Sequence, residues 1–151
     1  MTKSVAPRRS AKPARPAYVL DEQVGFILRQ CYQRHATLFA DCFGEEFTPM
    51  QWAVIAKLAE NGGCSQNMLG RLTAMDVATI KGVVERLIRR TLIEARPDPT
   101  DRRRLSLTLT PDGHSAYERW AARAAGVSEE TLSPLAADER RTLMQLLTRL
   151  R

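Results

Sequence analysis

The sequence predicts a mainly α-helical protein, a winged helix-turn-helix with a two-stranded wing hairpin between flanking N- and C-terminal helices. Three observations predict this fold. A helix-turn-helix pattern ends in an amphipathic helix that begins after Asp76. A turn with three consecutive arginines at 102–104 follows that helix. The next strand alternates apolar and polar residues, with leucines at 105, 107 and 109.

Composition limits the class of protein. The chain has 151 residues, a net charge of +6 and 44% hydrophobic residues, which is enough for one domain with a core. It lacks an apolar run long enough to span a membrane, and its N-terminus lacks the apolar region of a secretory signal. Three cysteines (Cys31, Cys42 and Cys64) without CxxC spacing suggest neither a disulfide framework nor a zinc site. We therefore expect a cytoplasmic protein without a metal or other cofactor.

Positive charge is concentrated in two segments. Residues 1–17 carry five basic and no acidic side chains, and residues 71–104 carry nine basic and five acidic ones. Such clusters attract phosphate polyanions. The first segment is rich in Pro and Ala and is predicted to be a disordered arm. It either follows the DNA backbone or serves only as a solubilising tail.

The first half of the chain contains two predicted helices before the helix-turn-helix. The first begins at Asp21 and runs to about Phe43 with an apolar stripe at helical spacing. The second begins at Thr48-Pro49, where threonine caps the helix and proline occupies its first turn. Residues 61–63, Asn-Gly-Gly, end it.

The helix-turn-helix is predicted from two capping residues. Ser65 caps a short helix over residues 66–73, with Met68, Leu69 and Leu72 buried. Asp76 caps the next helix, whose apolar stripe is Val77, Ile80, Val84, Leu87 and Ile88. The opposite face is small and polar near its start, as close approach to base edges in the major groove requires. That face carries Ala78, Thr79, Lys81, Gly82, Glu85, Arg86 and Arg89.

The wing and the C-terminal helices complete the predicted order. Residues 92–96 and 105–109 form the two strands, and an exposed Asp101–Arg103 ion pair stiffens the turn between them. A helix begins at Thr110-Pro111 and breaks at Gly126. The last helix begins at about Ala137, with a stripe of Leu143, Leu146, Leu147 and Leu150.

Four segments carry a resemblance to a known family: FTPMQW at 47–52, VVERLIRRTLI at 83–93, DPTDRR at 98–103 and LTLTPDG at 107–113. On these motifs the chain resembles the multiple-antibiotic-resistance regulator (MarR) family over roughly residues 20–150. Two positions depart from the family pattern, Thr91 for a common glycine and Ala136 for a capping residue. The organic-peroxide-sensing branch would place its reactive cysteine at Gly25, where this chain has no sulfur.

The resemblance implies a homodimer that reads a pseudo-palindromic operator in double-stranded DNA, most often as a repressor that a small ligand releases. It divides the chain into a basic arm at 1–17, a helical dimerisation region at 18–47 and 112–151, and a winged helix-turn-helix at 48–111. The terminal helices carry rich apolar stripes, which is consistent with a homodimer because a two-fold interface would bury them. The predicted DNA contacts are Ser65, Gln66, Asn67, Ala78, Thr79, Lys81, Gly82, Arg86, Arg102, Arg103 and Arg104.

The predicted effector is a small anion, either an aromatic acid or its coenzyme A thioester. Aromatic rings would form an apolar cleft, and arginines would bind the negative charge. The candidate ligand residues are Arg29, Tyr32, Arg34, His35, Phe39, Trp52, Trp120 and Arg123. The alternative is that the rings belong to the core and the arginines are solvated.

Two other functions stay open at this point. A thiol-based redox sensor would use a cysteine, although Cys31 and Cys42 fall on the apolar stripe of the first helix. A winged helix can also bind a protein partner, which would not need the arginines of the wing. An enzyme is not expected, because the sequence has no nucleophile turn, phosphate-binding loop or dinucleotide fingerprint.

Overall fold

The computed structural model describes residues 18–98 and 105–151. The predicted mainly α-helical winged fold is confirmed. A 3-10 turn at Leu20–Glu22 is followed by α1 (Val24–Phe43), α2 (Pro49–Asn61), α3 (Gln66–Leu72), α4 (Val77–Arg89), β1 (Ile93–Pro97), β2 (Leu105–Leu109), α5 (Pro111–Thr131) and α6 (Ala137–Thr148).

Local capping starts the helices of the winged region where the sequence predicts. Thr48 Oγ1 accepts the N–H of Gln51 at 3.2 Å, and Gln51 Oε1 accepts the N–H of Thr48 at 3.0 Å, which completes a capping box. Ser65 Oγ accepts from Met68 at 3.3 Å, and Thr110 Oγ1 accepts from Gly113 at 3.0 Å. Each bond satisfies a backbone donor that the first turn of a helix leaves free.

Two predicted helix boundaries are wrong. Asp21 lies inside the 3-10 turn, and α1 begins only at Val24, because Gln23 is extended at φ −86° and ψ 129°. Gly126 does not break a helix, since α5 continues through it to Thr131. Glycine in a helix costs only about 1 kcal/mol relative to alanine. α5 packs on α1 and buries Val127, the residue after Gly126, and this packing outweighs that cost.

The core joins α1, the winged region and α5. Its most deeply buried large side chains are Phe47, Ile55, Leu58, Leu69, Leu87 and Ile93. On α4 the buried residues are Ile80, Val83, Val84 and Leu87. Val77 and Ile88 of α4 and Met68 of α3 are predicted to be buried, but their side chains are exposed. Their exposed fractions are 73%, 40% and 40%. The buried face of α4 is therefore rotated toward Val83 and away from Val77 and Ile88 relative to the predicted stripe.

The wing is a two-stranded antiparallel sheet that is fastened to the helix-turn-helix. Ile93 pairs with Leu109, and Pro97 pairs with Leu105. The backbone of Cys64, just before α3, exchanges two hydrogen bonds with Leu107 at 3.1 and 2.8 Å. The base of the wing is therefore held against the start of α3. Leu105, at the open end, is 60% exposed.

The two departures from the family pattern are accommodated in the backbone. Thr91 adopts φ 58°, the left-handed conformation that ends many helices, and Leu92 N–H reaches Leu87 O at 3.1 Å. The end of α4 is thus well defined without a glycine. Ala136 has no side-chain cap, but Glu139 Oε2 accepts its N–H at 2.7 Å.

An extended apolar surface lies on the terminal helices. The exposed large side chains of the N-terminal part are Tyr18, Leu20, Val24, Ile27, Leu28 and Tyr32, and those of the C-terminal part are Met144, Leu146, Leu147 and Leu150. No residue of α6 is buried. Surfaces of this kind mark interaction sites in water-soluble proteins.

Candidate nucleic-acid interface and adjoining cavity

The start of α4 is fixed by Asp76. Its Oδ1 accepts the backbone N–H of Thr79 at 2.8 Å, and its Oδ2 accepts the Thr79 hydroxyl at 2.8 Å. These bonds to the ionised form lower the pKa of Asp76 below its ordinary value of 3.8. A lowered carboxyl pKa stabilises the fold above the unfolded value, and the effect is lost as pH falls through the folded one. The cap is therefore fully charged at neutral pH.

The outward face of α4 is small at its centre and cationic at its C-terminal end. Ala78, Lys81, Arg86 and Arg89 are exposed. A Cβ added at Gly82 would meet only the guanidinium of Arg86, at 3.8 Å. Lys81 Nζ lies 3.9 Å from Glu85 Oε1, an exposed pair that stabilises little. This profile allows the helix backbone to approach a groove closely.

The other end of α4 is tied to the α1–α2 connection. Arg90 donates to the carbonyl oxygen of Glu46 at 2.6 Å and to its carboxylate at 3.0 Å. The same guanidinium lies 4.9 Å from the centre of the Phe47 ring. The orientation of α4 is thus coupled to the segment that joins α1 and α2.

A polar cavity of about 520 Å³ lies where α3 meets the wing. It is lined by Ser65, Gln66, Asn67, Arg71 and Leu105. Three of these residues are predicted DNA contacts, and the structure brings them together. Arg71 was not singled out in the sequence, although it is an exposed cation on α3. The predicted contacts Arg102, Arg103 and Arg104 lie outside the described residues, as does the predicted Asp101–Arg103 pair.

The aromatic candidates for a ligand cleft pack against one another. Phe43 stacks between Phe39 and Trp120, with ring centres at 4.1 and 4.8 Å. Trp52 stacks on Tyr117 at 5.8 Å. Phe39 and Phe43 are buried, so this cluster forms part of the core between α1, α2 and α5. The indole N–H of Trp120 is buried without a hydrogen-bond partner among the described residues.

The arginine and histidine candidates lie in three different environments. Arg34 donates to the carbonyl oxygen of Glu130 at 3.3 Å, and His35 Nδ1 lies 2.9 Å from Thr131 Oγ1. Both contacts join α1 to the end of α5. Arg123 lies over the Trp120 ring at 4.9 Å. Arg29 is exposed, over the Phe26 ring at 5.2 Å, and lies one turn before Tyr32 on α1.

A second cavity, of about 340 Å³, lies between α1, α2 and the start of α4, and we call it the junction cavity. It is lined by Tyr32, Pro49, Met50, Ala53, Thr73, Ala74, Met75, Asp76 and Thr79. Tyr32 therefore lines a cavity wall. Thr79, predicted as a DNA contact, lines the same cavity, which follows from its bonds to Asp76.

The three cysteines are free thiols in different environments. Burial raises the pKa of Cys64, which disfavours the reactive thiolate. Cys42 Sγ donates weakly to the carbonyl oxygen of Arg123 at 3.8 Å, while Cys31 is exposed. Within residues 18–98 and 105–151, no three His, Cys, Asp or Glu side chains cluster as a metal site would require.

Comparison with known proteins identifies the family to which this chain belongs. The model of the MarR family matches residues 46–104. The HTH-type transcriptional repressor NicR of Pseudomonas putida is 36% identical over 99% of this chain and 95% of its own length. The chain belongs to the MarR family. It is accordingly a DNA-binding transcriptional regulator with a winged-helix fold, and not an enzyme.

Two solved structures of transcriptional regulators share this fold over most of the chain. A probable transcriptional regulator from Pseudomonas aeruginosa is 53% identical, with a TM-score of 0.84 over 88% of this chain and all of that one. BpsR of Bordetella bronchiseptica, whose DNA binding is regulated by 6-hydroxynicotinic acid, is 37% identical, with a TM-score of 0.85 over 89% of this chain and 97% of that one. In the described part of this MarR-family chain, no helix combines the length and apolarity needed to cross a bilayer.

Proposed function

We propose that this protein is a homodimeric repressor that binds a pseudo-palindromic operator and releases it when a small aromatic acid binds. The observation that carries the DNA-binding part is the outward face of α4, small at Gly82 and cationic at Arg86, fixed at its start by Asp76 and flanked by the wing. A gel shift with the upstream region of its own gene tests this directly. Binding that is absent, or that ignores salt, contradicts it.

The proposed dimer uses the apolar surface of the terminal helices. Residues 18–47 and 112–151 would form the dimerisation region, and residues 48–111 the DNA-binding region. Burial of ten exposed large apolar side chains per subunit favours self-association, at about 25 cal/mol for each Å² of apolar surface. A two-fold interface would present two α4 helices to successive turns of the major groove. Solution scattering that shows a monomer would contradict this arrangement.

The proposed DNA contacts divide by role. Ser65, Gln66 and Asn67 at the start of α3 bind the backbone, and we add Arg71 because it lines the same cavity. Ala78, Lys81, Gly82 and Arg86 of α4 face the groove. Thr79 supports them from the cap. The wing arginines would reach the minor groove or backbone, where guanidinium groups fit better than ammonium groups.

We expect Arg102→Ala to weaken operator binding and to reduce its salt dependence. Loss of one phosphate contact lowers the slope of log K against log salt by about 1, hence by about 2 for a dimer. Anisotropy titrations at several salt concentrations measure this slope. Arg119→Ala, which removes an exposed cation of α5, is the control and should leave the slope unchanged. Lost thermal stability with an unchanged slope would contradict the assignment of Arg102.

The proposed effector site is the junction cavity together with Arg29. Its volume of about 340 Å³ suits a single-ring acid, whereas a coenzyme A thioester would extend far outside it. The regulation of BpsR by 6-hydroxynicotinic acid supports an aromatic monocarboxylate. Arg29 and Tyr32 share one face of α1, so the carboxylate would bind at that end.

Release of DNA would follow from a shift of populations. The junction cavity touches α1, α2 and the start of α4, and Arg90 links the end of α4 to Glu46. A ligand that prefers a spacing of the two α4 helices mismatched to the groove lowers DNA affinity in proportion to that preference. The proposed ligand therefore acts by moving α4 relative to the dimerisation region, without touching DNA.

We expect Arg29→Gln to weaken binding of 6-hydroxynicotinic acid about tenfold, since a charge-assisted hydrogen bond contributes roughly 1.5–3 kcal/mol. Operator affinity without ligand should not change. Arg34→Gln is the matched control on the same helix, because its guanidinium already bonds to Glu130. Calorimetric titration measures both. Equal losses in the two variants, or no binding by the unmodified protein, would argue against this site.

A further inference from the structure

A groove of about 450 Å³ lies between α3 and the start of α4, and we call it the helix-turn-helix groove. Its lining residues are Asn67, Gly70, Arg71, Ala74, Met75, Asp76, Val77 and Ile80. A Cβ added at Gly70 would lie 3.2 Å from the carbonyl oxygen of Met75 and 3.5 Å from Ile80 Cγ2. The two helices therefore pack closely at the base of the groove, and this packing fixes the spacing of the side chains at its rim.

Val77 is an exposed apolar side chain in this groove. Its exposed fraction is 73%, and no other large apolar side chain of residues 48–98 and 105–111 is as exposed. Core packing therefore does not require an apolar residue here. Helix propensity does not favour valine either, since a β-branched side chain loses rotamer freedom in a helix. The apolar surface of Val77 would be removed from water only by a bound partner.

The fold indicates which partner covers Val77. In a helix-turn-helix the first helix crosses the DNA backbone, and the N-terminal residues of the second helix contact base edges in the major groove. Val77 is the first residue of α4, and it lines the groove together with Asn67 and Arg71 of α3. Both of these side chains are exposed and polar, as contacts to phosphate require. Val77 therefore lies between the proposed phosphate contacts and the proposed base contacts.

The chemistry of Val77 and of its neighbour limits which base it can recognise. Asp76 could accept a hydrogen bond from the amino group of cytosine, but its two carboxylate oxygens already accept the N–H and the hydroxyl of Thr79, both at 2.8 Å. The side chain of Val77 has no hydrogen-bonding group. In the major groove, the apolar group that a base edge presents is the C5-methyl group of thymine.

We propose that Val77 is a specificity-determining residue that contacts the C5-methyl group of a thymine in each half of the operator. The side chain closes over the methyl group while Asn67 and Arg71 bind the neighbouring backbone. A two-fold dimer places this thymine at two positions related by symmetry. The inference rests on the proposed binding of the operator by α4, and it adds a base preference at the first position of that helix.

The test compares two forms of the upstream region of the protein's own gene, one with thymidine and one with deoxyuridine at every thymine. Deoxyuridine keeps the base pairing and removes only the C5-methyl group. Burial of one methyl group favours binding by about fourfold, hence by about 15-fold for the two subunits of a dimer. We expect the unmodified protein to prefer the thymidine form by this ratio in anisotropy titrations of the full chain.

Val77→Ser removes the apolar surface and should bring the ratio of the two affinities close to one. Val77→Ile keeps an apolar β-branched side chain and should keep the ratio. Ile88→Ala trims another exposed apolar side chain of α4, near its C-terminal end, and is the control that should also keep it. None of these variants changes the charge, so the slope of log K against log salt should stay constant. Val77→Ala replaces the serine variant if that one fails to fold.

Fragments with a single deoxyuridine then locate the contact. We expect the loss of affinity at two thymines related by the two-fold axis, and we expect Val77→Ser to abolish it at both. At these positions a pair of 5-methylcytosine with guanine should bind more tightly than a pair of unmethylated cytosine with guanine, because it restores the methyl group.

The outcomes separate this inference from the proposed function. Equal affinities of the unmodified protein for the two forms, or the same ratio in Val77→Ser, overturn the role of Val77 while operator binding stands. No binding to either form overturns the proposed operator binding and this inference with it. A ratio that falls in Val77→Ser and persists in Val77→Ile and Ile88→Ala supports the inference.

Discussion

Gly113→Ala is expected to destabilise the protein by about 3 kcal/mol, which lowers the melting temperature by roughly 10 °C. A Cβ at this position would overlap the carbonyl oxygen of Leu92 and lie 3.0 Å from its carbon. That carbonyl also accepts the N–H of Thr110 at 3.1 Å, so it cannot turn away without breaking a second contact. The backbone just before β1 meets the start of α5 here, and the two closest atoms belong to backbone rather than to a flexible side chain.

The matched control for Gly113 lies in the same helix. A Cβ at Gly126 would meet nothing within 4 Å, so Gly126→Ala should stabilise the protein by about 0.5–1 kcal/mol through helix propensity alone. Thermal unfolding followed by circular dichroism distinguishes the two. Two alanine variants of equal stability would show that α5 and the wing do not approach as closely as described.

Gly82→Leu is expected to abolish most operator binding while making the protein more stable. Leucine favours a helix over glycine by about 1 kcal/mol, and a Cβ at position 82 would meet only the Arg86 guanidinium within 4 Å. The added bulk would hold α4 away from the groove in both subunits of the proposed dimer. Disrupted base contacts cost about 1–3 kcal/mol each, so we expect an affinity loss of roughly 100-fold.

A graded series tests the steric origin of the Gly82 effect. Gly82→Ala adds one methyl group and should weaken binding much less than Gly82→Leu. Neither variant changes the charge, so the slope of log K against log salt should stay constant across the series. Operator affinity of the leucine variant within twofold of the unmodified protein would remove Gly82 from the interface.

Local chemistry explains why helix starts were predictable. Thr48, Ser65, Asp76 and Thr110 each bond to a donor three residues ahead, a contact whose partners are near in sequence. The break predicted at Gly126 failed for the opposite reason. Packing of α5 on α1, distant in sequence, decides whether a helix continues through a glycine.

The same distinction between local contacts and long-range packing applies to the candidate site. Small and cationic residues on α4 are exposed as the pattern predicts, because amphipathic spacing alone orients them. The pattern could not separate the two kinds of ligand candidate. Arg34 and His35 contact residues 96 positions away on α5, whereas Tyr32 lines a cavity. Arg71 was missed because a basic residue on a short helix carries no distinguishing spacing.

By itself the sequence determined the order of elements, the helix-capping residues, the basic wing and the MarR family, since these depend on contacts within a few residues or on motifs read directly. Only the tertiary structure decided that Asp76 and Thr79 share a cavity with Tyr32, and that the predicted aromatic cleft is a stacked cluster. The physical reason is that a cavity is made by the packing of α1, α2 and α4. The side chains that surround the cavity are set by how each helix is oriented about its own axis when it packs against its neighbours.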